Sequence, residues 1–154
     1  MGTALDPTDH RLLALLQEDG RATYAELGAA VGLSAPAAKR RVDRLRVAGV
    51  ITGFTAVVDP VAVGWTFEAY VELYCRARTA PTAVFALARK YPQVVSACTI
   101  SGEADALLHM RSSGVHDFEE ILSRIGAEPI VVRTKSVIVL SRQPGTPAGP
   151  PGRG

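Results

Sequence analysis

Basic side chains are concentrated in one short segment of the first half of the chain. Five of them fall within eight positions and have a single acidic residue among them: Lys39, Arg40, Arg41, Arg44, Arg46 and Asp43. Ammonium and guanidinium groups bind phosphate oxygens, and arginine also forms paired hydrogen bonds with guanine edges. The segment could therefore recognise nucleic acid, and the competing interpretation is a solvated basic face on a globular domain.

The segment has the sequence pattern of a short helix. Ser34 can cap its start, Pro36 fits its first turn, and Gly49 fits the left-handed position just beyond its end. An apolar stripe recurs at spacings of four and three residues: Ala38, Val42 and Leu45.

The outer face of this predicted helix is basic. Arg40 and Arg44 fall opposite the apolar stripe, and Arg41 falls on its flank. The helix begins with small residues, which let a backbone approach the floor of a major groove: Ser34, Ala35 and Ala37. The arginines are then predicted to reach base edges or phosphates.

A second, shorter helix is predicted immediately upstream. Thr23 and Glu26 have the spacing of a capping box, and Gly32 can end the helix. Two short helices joined by a glycine-containing turn form the pattern of a helix-turn-helix, whose second helix enters the major groove. A leucine-rich helix that starts at Asp6 and Pro7 is predicted to pack behind the pair.

The composition indicates a packed globular protein. The 154 residues are 47% hydrophobic and 21% charged, and the net charge is only +2, so a nucleic-acid surface must be local. No apolar run reaches the about 20 residues that span a membrane, and no signal peptide is evident, so a cytoplasmic location is expected. Cys75 and Cys98 lack the spacing of a zinc or redox pair and are predicted to be reduced core residues.

The second half of the chain alternates between strand and helix patterns. Residues 67–76 alternate apolar and polar side chains, as a half-buried strand does. The elements that follow are a helix from Pro81, strands at 94–101 and 106–111, a helix at 117–125 and a strand at 131–140. This β-α-β-β-α-β order is that of a ferredoxin-like sandwich, with both helices on one face of the sheet. The other face, which carries Tyr70 and Tyr74, is predicted to need a partner sheet.

These patterns predict an α+β chain. An N-terminal helix-turn-helix domain at 4–52 is joined by a strand hinge and linker at 53–64 to a ferredoxin-like βαββαβ domain at 65–142. The hinge strand is predicted within residues 51–59, where apolar residues alternate. Residues 143–154 are rich in proline and glycine and are predicted to be a disordered tail.

Three stretches of the sequence resemble the Lrp/AsnC family, the feast/famine transcription regulators of prokaryotes. They are LDPTDHRLLALLQEDGRATYAELGAAVGLSAPAAKRRVDRLRVAGVITGFTAVVDP, then ISGEADALLHM, and finally TKSVIVL. The resemblance implies a regulator that binds double-stranded DNA and senses a small-molecule effector with its C-terminal domain. It also implies homodimers that pair sheet to sheet and assemble into octamers, with a free amino acid bound where dimers meet.

Carried over residue by residue, the resemblance places DNA contacts on six residues: Ser34, Ala37, Lys39, Arg40, Arg41 and Arg44. It places the effector site on a loop and on the last strand: Ser101, Gly102, Glu103, Asp105, Thr134 and Ser136. In this interpretation backbone N–H groups beside Gly102 bind the ligand carboxylate, and Asp105 or Glu103 binds its ammonium group. From the residues alone, the same loop could instead be a tight turn that requires glycine.

Two other functions fit the same architecture. An enzyme resembling the siroheme decarboxylases would need basic and histidine residues in a sheet cleft, for which the chain offers His109 and Arg111. An architectural DNA-binding protein would keep the basic helix and respond to no effector. The sequence shows no activated nucleophile, carboxylate pair or metal-ligand spacing, so no catalysis, cofactor or metal is expected.

Overall fold

The computed structural model describes residues 4–142, which fall into two compact units divided between Val57 and Val58. This division lies within the predicted linker at 53–64. The predicted disordered tail at 143–154 lies outside the described residues.

Three helices form the first unit: α1 (Pro7–Glu18), α2 (Tyr24–Val31) and α3 (Ala35–Val47). Their apolar faces meet in one core that contains Leu12, Leu27, Ala38 and Val42. The first helix therefore packs behind the helix pair, as the sequence predicted. A Cβ at Gly28 would lie 2.5 Å from the carbonyl oxygen of Leu33, so only glycine lets the turn into α3 pack this closely against α2.

Each helix of this unit begins at a side-chain cap. Asp6, Thr23 and Ser34 each accept a hydrogen bond from the backbone N–H three residues further along the chain. Asp6 and Thr23 belong to capping boxes, which Asp9 and Glu26 complete. The caps fix where each helix starts and therefore which residues α3 presents on each face.

The predicted hinge strand is not formed. A strand requires a hydrogen-bonded neighbour, and residues 51–59 pair with no other segment of the described chain. The apolar residues of this segment stay exposed instead, among them Phe54, Val57 and Val58. A single 3-10 turn, Val61–Val63, follows the segment.

The second unit is a four-stranded sheet with two helices. Its elements in chain order are β1 (Phe67–Cys75), α4 (Pro81–Ala88), β2 (Val94–Thr99), β3 (Ala106–Ser112), α5 (Val115–Gly126) and β4 (Val131–Ile138). The strand order is β2-β3-β1-β4 with every pair antiparallel, which confirms the βαββαβ prediction. Ala69, Val71 and Leu73 of β1 are fully buried in the core shared with the helices, and the alternate residues of β1 face the helix-free side.

Some element ends differ from the predictions. β2 ends at Thr99 and β4 at Ile138, two residues early in each case, because these are the last residues paired with β3 and β1. α4 ends at Ala88, although its apolar pattern extends to Tyr91. Tyr91 nevertheless packs into the core. The apolar pattern therefore predicted the burial of Tyr91 correctly, but it predicted too long a helix.

The two cysteines lie in different environments. Cys98 is exposed on the helix-free face, opposite Leu107 of β3, so its predicted core position is wrong. Cys75 is partly buried at the end of β1, and burial raises the pKa of its thiol. The Cys75 thiol is therefore protonated at neutral pH.

Candidate nucleic-acid interface and effector loop

The start of α3 carries only small side chains. The Oγ of Ser34 accepts a hydrogen bond from the N–H of Ala37 at 3.4 Å, and Ala35 and Pro36 complete the first turn. The buried stripe on the opposite side is the predicted one: Ala38, Val42 and Leu45. The first turn therefore has no long side chain that would hold its backbone away from a groove floor.

Lys39 and Arg40 are exposed just after this turn. The Nζ of Lys39 lies 2.6 Å from Asp43, and the Nη1 of Arg46 lies 3.9 Å from the same carboxylate. Within residues 4–142, Arg40 takes part in no ion pair. Its positive charge is therefore available to an external anion.

Arg41 and Arg44 contact α1 and its cap. The Nη1 of Arg41 lies 2.5 Å from Asp6 and 3.0 Å from Asp9. The Nη2 of Arg44 donates to both carboxylate oxygens of Asp9, at 2.7 and 2.6 Å. Arg44 lies on the exposed side of α3, as predicted, but its guanidinium is held by a carboxylate 35 residues earlier in the chain.

Asp9 is the residue of this surface that sequence reasoning missed. Its side chain is 1% exposed, and besides the two arginines it accepts the N–H of Asp6 at 3.2 Å. A carboxylate is stable in such surroundings only when it is paired and hydrogen-bonded. The sequence did contain a signal, since Asp9 lies three residues before Leu12 and therefore on the apolar face of α1.

Residues 100–105 form the loop that joins β2 to β3. Gly102 has a φ of +146°, which L side chains rarely adopt, although a Cβ there would meet no atom within 4 Å. Glycine is therefore required by the backbone conformation rather than by lack of space. Ser101, Gly102 and Glu103 are exposed, so the backbone of the loop is accessible to a ligand.

Asp105 anchors this loop to β1. Its Oδ2 accepts the N–H of Cys75 at 2.7 Å, and its own N–H donates to the carbonyl of Leu73 at 2.9 Å. The carboxylate that was predicted to bind a ligand ammonium group is thus partly engaged by the fold. Within residues 4–142, the side chain of Glu103 has no such partner, so it is the more available acid.

Thr134 and Ser136 lie on the far side of β1 from the loop. In the β1–β4 ladder Thr134 is opposite Leu73 and Ser136 is opposite Val71. Asp105 and Thr134 therefore flank Leu73 from opposite sides, about two strand spacings or about 10 Å apart. Within one chain, the loop and the β4 hydroxyl groups are therefore too far apart to contact the charged groups of the same amino acid.

The helix-free face carries a charged cluster around Glu68. Glu68 forms hydrogen bonds with His109 and Arg142 and lies 3.6 Å from the Nε of Arg111. Tyr70 stacks on His109, with ring centroids 4.9 Å apart. His109 and Arg111, which a tetrapyrrole carboxylate would require, are therefore already paired with a glutamate of the same sheet.

Comparison with known proteins assigns the chain to a family. The family described as the AsnC-type helix-turn-helix domain matches residues 5–46, and the Lrp/AsnC ligand binding domain matches residues 68–147. The chain belongs to the Lrp/AsnC family. The resemblance that the sequence motifs carried is therefore confirmed, as is the order of a helix-turn-helix followed by an α+β domain.

Relatives along nearly the whole chain share this assignment. The chain is 50% identical over 137 residues to the HTH-type transcriptional regulator Rv2324 of Mycobacterium tuberculosis, which covers 89% of this chain and 93% of the relative. The fold of the chain is similar to that of the transcriptional regulator NMB0573 of Neisseria meningitidis, solved with L-Met. The TM-score is 0.87 and the identity 31%, and the match covers 96% of this chain and 97% of the neisserial one. The fold is also similar to that of the feast or famine regulatory protein Rv3291c of M. tuberculosis, complexed with L-methionine. Here the TM-score is 0.86 and the identity 34%, and the match covers 92% of this chain and 96% of Rv3291c.

These findings make the chain a transcriptional regulator of the Lrp/AsnC type with a helix-turn-helix DNA-binding domain. The relatives named above are all described as regulators. Among residues 4–142, no helix combines the length and the apolar character that crossing a membrane would require.

Proposed function

We propose that this Lrp/AsnC regulator reads specific sites in double-stranded DNA with α3 and alters its DNA binding when it binds a free amino acid. The observation that carries the DNA part is the exposed start of α3, where small residues precede Arg40, which has no ion pair within residues 4–142. The proposed contacts lie in and beside the first turn: Ser34, Ala37, Lys39 and Arg40. Arg41 and Arg44 are assigned instead to holding α3 against α1, because both bind Asp9.

Arg40→Gln tests the DNA part of the proposal. A paired contact between an arginine and a base contributes about 1–3 kcal/mol, so affinity for the best site selected from random duplexes should fall about fivefold to 150-fold. Arg89→Gln is the matched control, since Arg89 is an exposed arginine of the second unit that has no ion pair within residues 4–142. Equal affinities of the two variants would contradict the assignment.

The effector part of the proposal is supported by the two similar regulators solved with methionine. Backbone N–H groups beside Gly102 are proposed to bind the ligand carboxylate, because the loop is exposed and glycine leaves its backbone open. Glu103 is proposed to bind the ammonium group, since Asp105 already holds the N–H of Cys75. Thr134 and Ser136 would come from a second chain, because β1 separates them from the loop within one chain.

A thermal-shift screen of free amino acids, with L-methionine among them, tests the effector part. A ligand that binds the native state raises the unfolding midpoint, and the best ligand should do so in a concentration-dependent manner. Glu103→Gln should remove this shift, whereas Glu119→Gln, on the exposed side of α5, should retain it. Retention of the full shift in Glu103→Gln would place the ammonium group elsewhere.

The proposed assembly is a homodimer that pairs through the helix-free sheet faces and associates further into octamers. Helix-turn-helix domains read one half-site each, so a symmetric pair is needed for a specific operator. Within each chain the proposed functional parts are a DNA-binding domain at 4–52, a linker at 53–64, and an effector and assembly domain at 65–142. The engaged His109 and Arg111 give no support to the enzymatic alternative.

A further inference from the structure

Most of the positive charge on α3 is balanced within the protein, and the balancing groups differ in accessibility. Asp43 pairs with Lys39 on the exposed side, whereas two aspartates at the start of α1 pair with Arg41 and Arg44. We infer that Asp6 is an affinity-limiting residue that withholds Arg41 from DNA phosphates, so that the start of α1 sets how many phosphates α3 neutralises. This inference rests on the proposed binding of DNA by α3.

Both members of the Asp6–Arg41 pair are accessible from solvent. The Asp6 side chain is 44% exposed and the Arg41 side chain 29%, and 2.5 Å separates their charged atoms. A phosphate could therefore approach this guanidinium, but it would have to compete with a carboxylate that is already in place. The hydrogen bond from Arg41 also lowers the pKa of Asp6, so the carboxylate is ionised at neutral pH and competes throughout that range.

Asp9 does not share this role, because it is buried and holds two arginines. It accepts hydrogen bonds from Arg41 at 3.0 Å and from Arg44 at 2.6 Å. Loss of the Asp6 charge therefore leaves α3 docked on α1 through the Arg44–Asp9 pair, while Arg41 keeps one carboxylate partner instead of two. Asn caps a helix as well as Asp does, so Asp6→Asn removes the charge and keeps the start of α1 intact.

The expected signature is a change in salt dependence. Each additional phosphate contact makes the slope of log K against log salt more negative by about 0.9. In a dimer with two copies of α3, Asp6→Asn should add two such contacts and steepen the slope by about 1.8. Between about 50 mM and about 200 mM salt, the affinity advantage of the variant over wild type should therefore shrink about twelvefold.

The experiment uses the full-length chain and a fluorescent duplex of mixed sequence of about 30 base pairs, titrated across this salt range. Four variants are compared with wild type: Asp6→Asn, Arg41→Gln, the double variant, and Glu18→Gln. Glu18→Gln is the control because it removes one exposed negative charge from the same helix, where Glu18 has no ion pair within residues 4–142. Asp6→Asn should bind more tightly at low salt with the steeper slope, and Arg41→Gln in the double variant should restore the wild-type slope.

Two results would overturn the inference. One is a slope for Asp6→Asn equal to that of Glu18→Gln, with both variants melting at the wild-type temperature. The other is a shallower slope for Arg41→Gln alone, which would mean that Arg41 already contacts phosphate in the wild-type complex. Asp6→Ser also keeps a capping oxygen and serves as the second variant if Asp6→Asn folds poorly.

The same titrations separate this inference from the proposed function. A wild-type chain that bound no duplex would overturn both. Weakened binding by Arg40→Gln together with an unchanged slope for Asp6→Asn would overturn only the role of Asp6.

Discussion

Three aspartates bind the basic residues of α3, and burial gives them different roles. Asp9 is fully buried and holds Arg41 and Arg44, whereas Asp43 forms exposed pairs with Lys39 and Arg46. Exposed ion pairs contribute little to folding stability, but loss of one partner from a buried pair leaves an uncompensated charge. The carboxylate of Asp9 therefore holds α3 in place, whereas that of Asp43 only reduces the positive charge on the surface of α3.

We expect Asp9→Asn to lower the free energy of unfolding of the first unit by about 1–2 kcal/mol, because Arg41 and Arg44 lose hydrogen bonds to a buried charged acceptor but stay partly solvated. Urea unfolding followed by helical circular dichroism measures this change. Asp43→Asn is the control and should lower stability far less, since its partners are exposed. Equal stability of Asp9→Asn and wild type would mean that the buried pairs do not hold α1 and α3 together.

At the scale of helices and strands, local signals predicted most of the fold. Caps such as Asp6, Thr23 and Ser34 marked the helix starts, because an N-cap is a property of a few neighbouring residues. Strict alternation likewise predicted which residues of β1 are buried. Both features depend only on residues that are close together in the chain, so they can be recognised in a single sequence.

The features that the sequence did not predict depend on distant residues. Arg44 is held by Asp9, and the carboxylate of Asp105 is held by the N–H of Cys75, 30 residues away. The prediction of a hinge strand was wrong for a related reason, since alternation in residues 51–59 cannot show whether another segment is available to pair with them. The resemblance predicted an effector loop, but only the fold shows that β1 separates Asp105 from Thr134.

The ladder between β1 and β3 predicts a pH dependence of stability. Burial tends to raise the pKa of Glu68, but hydrogen bonds from His109 and Arg142 outweigh it, so this pKa lies below its ordinary value of 4.5. A carboxyl whose pKa is lower in the folded state stabilises the protein above its ordinary pKa, and this contribution is lost as the pH falls through the folded value. We therefore expect wild type to lose more stability than Glu68→Gln when the pH is lowered below 4.5.

Urea unfolding at a series of pH values measures this difference. Arg142→Gln should give an intermediate pH dependence, because it removes one of the two side chains whose hydrogen bonds lower the pKa of Glu68 and leaves His109 in place. Parallel pH profiles of wild type and Glu68→Gln would show that the folded state does not lower the pKa of Glu68.

At the scale of the whole molecule, the helix-free face is the surface that a second chain would cover. Both helices share their core with one side of the sheet, so the opposite side exposes apolar and charged residues together, with Leu107 and Val137 beside the Glu68 cluster. An antiparallel sheet can leave one face to water only if that face is polar, and this one is mixed. Pairing of two such faces would bury the apolar residues and place the Glu68 clusters within the dimer.

Leu107→Glu should therefore convert the assembly into monomers. Leu107 lies opposite Glu72 of β1 and Cys98 of β2, so the substitution would place an unpaired carboxylate on the face and close to Glu72. Light scattering at micromolar concentration should report a dimer or larger species for wild type and a monomer for Leu107→Glu, with unchanged circular dichroism. Val115→Glu makes the same substitution at an exposed position of α5, in the helical layer, and should leave the dimer intact. A monomeric wild type, or a Leu107→Glu variant as large as wild type, would mean that the chains associate through another surface or not at all.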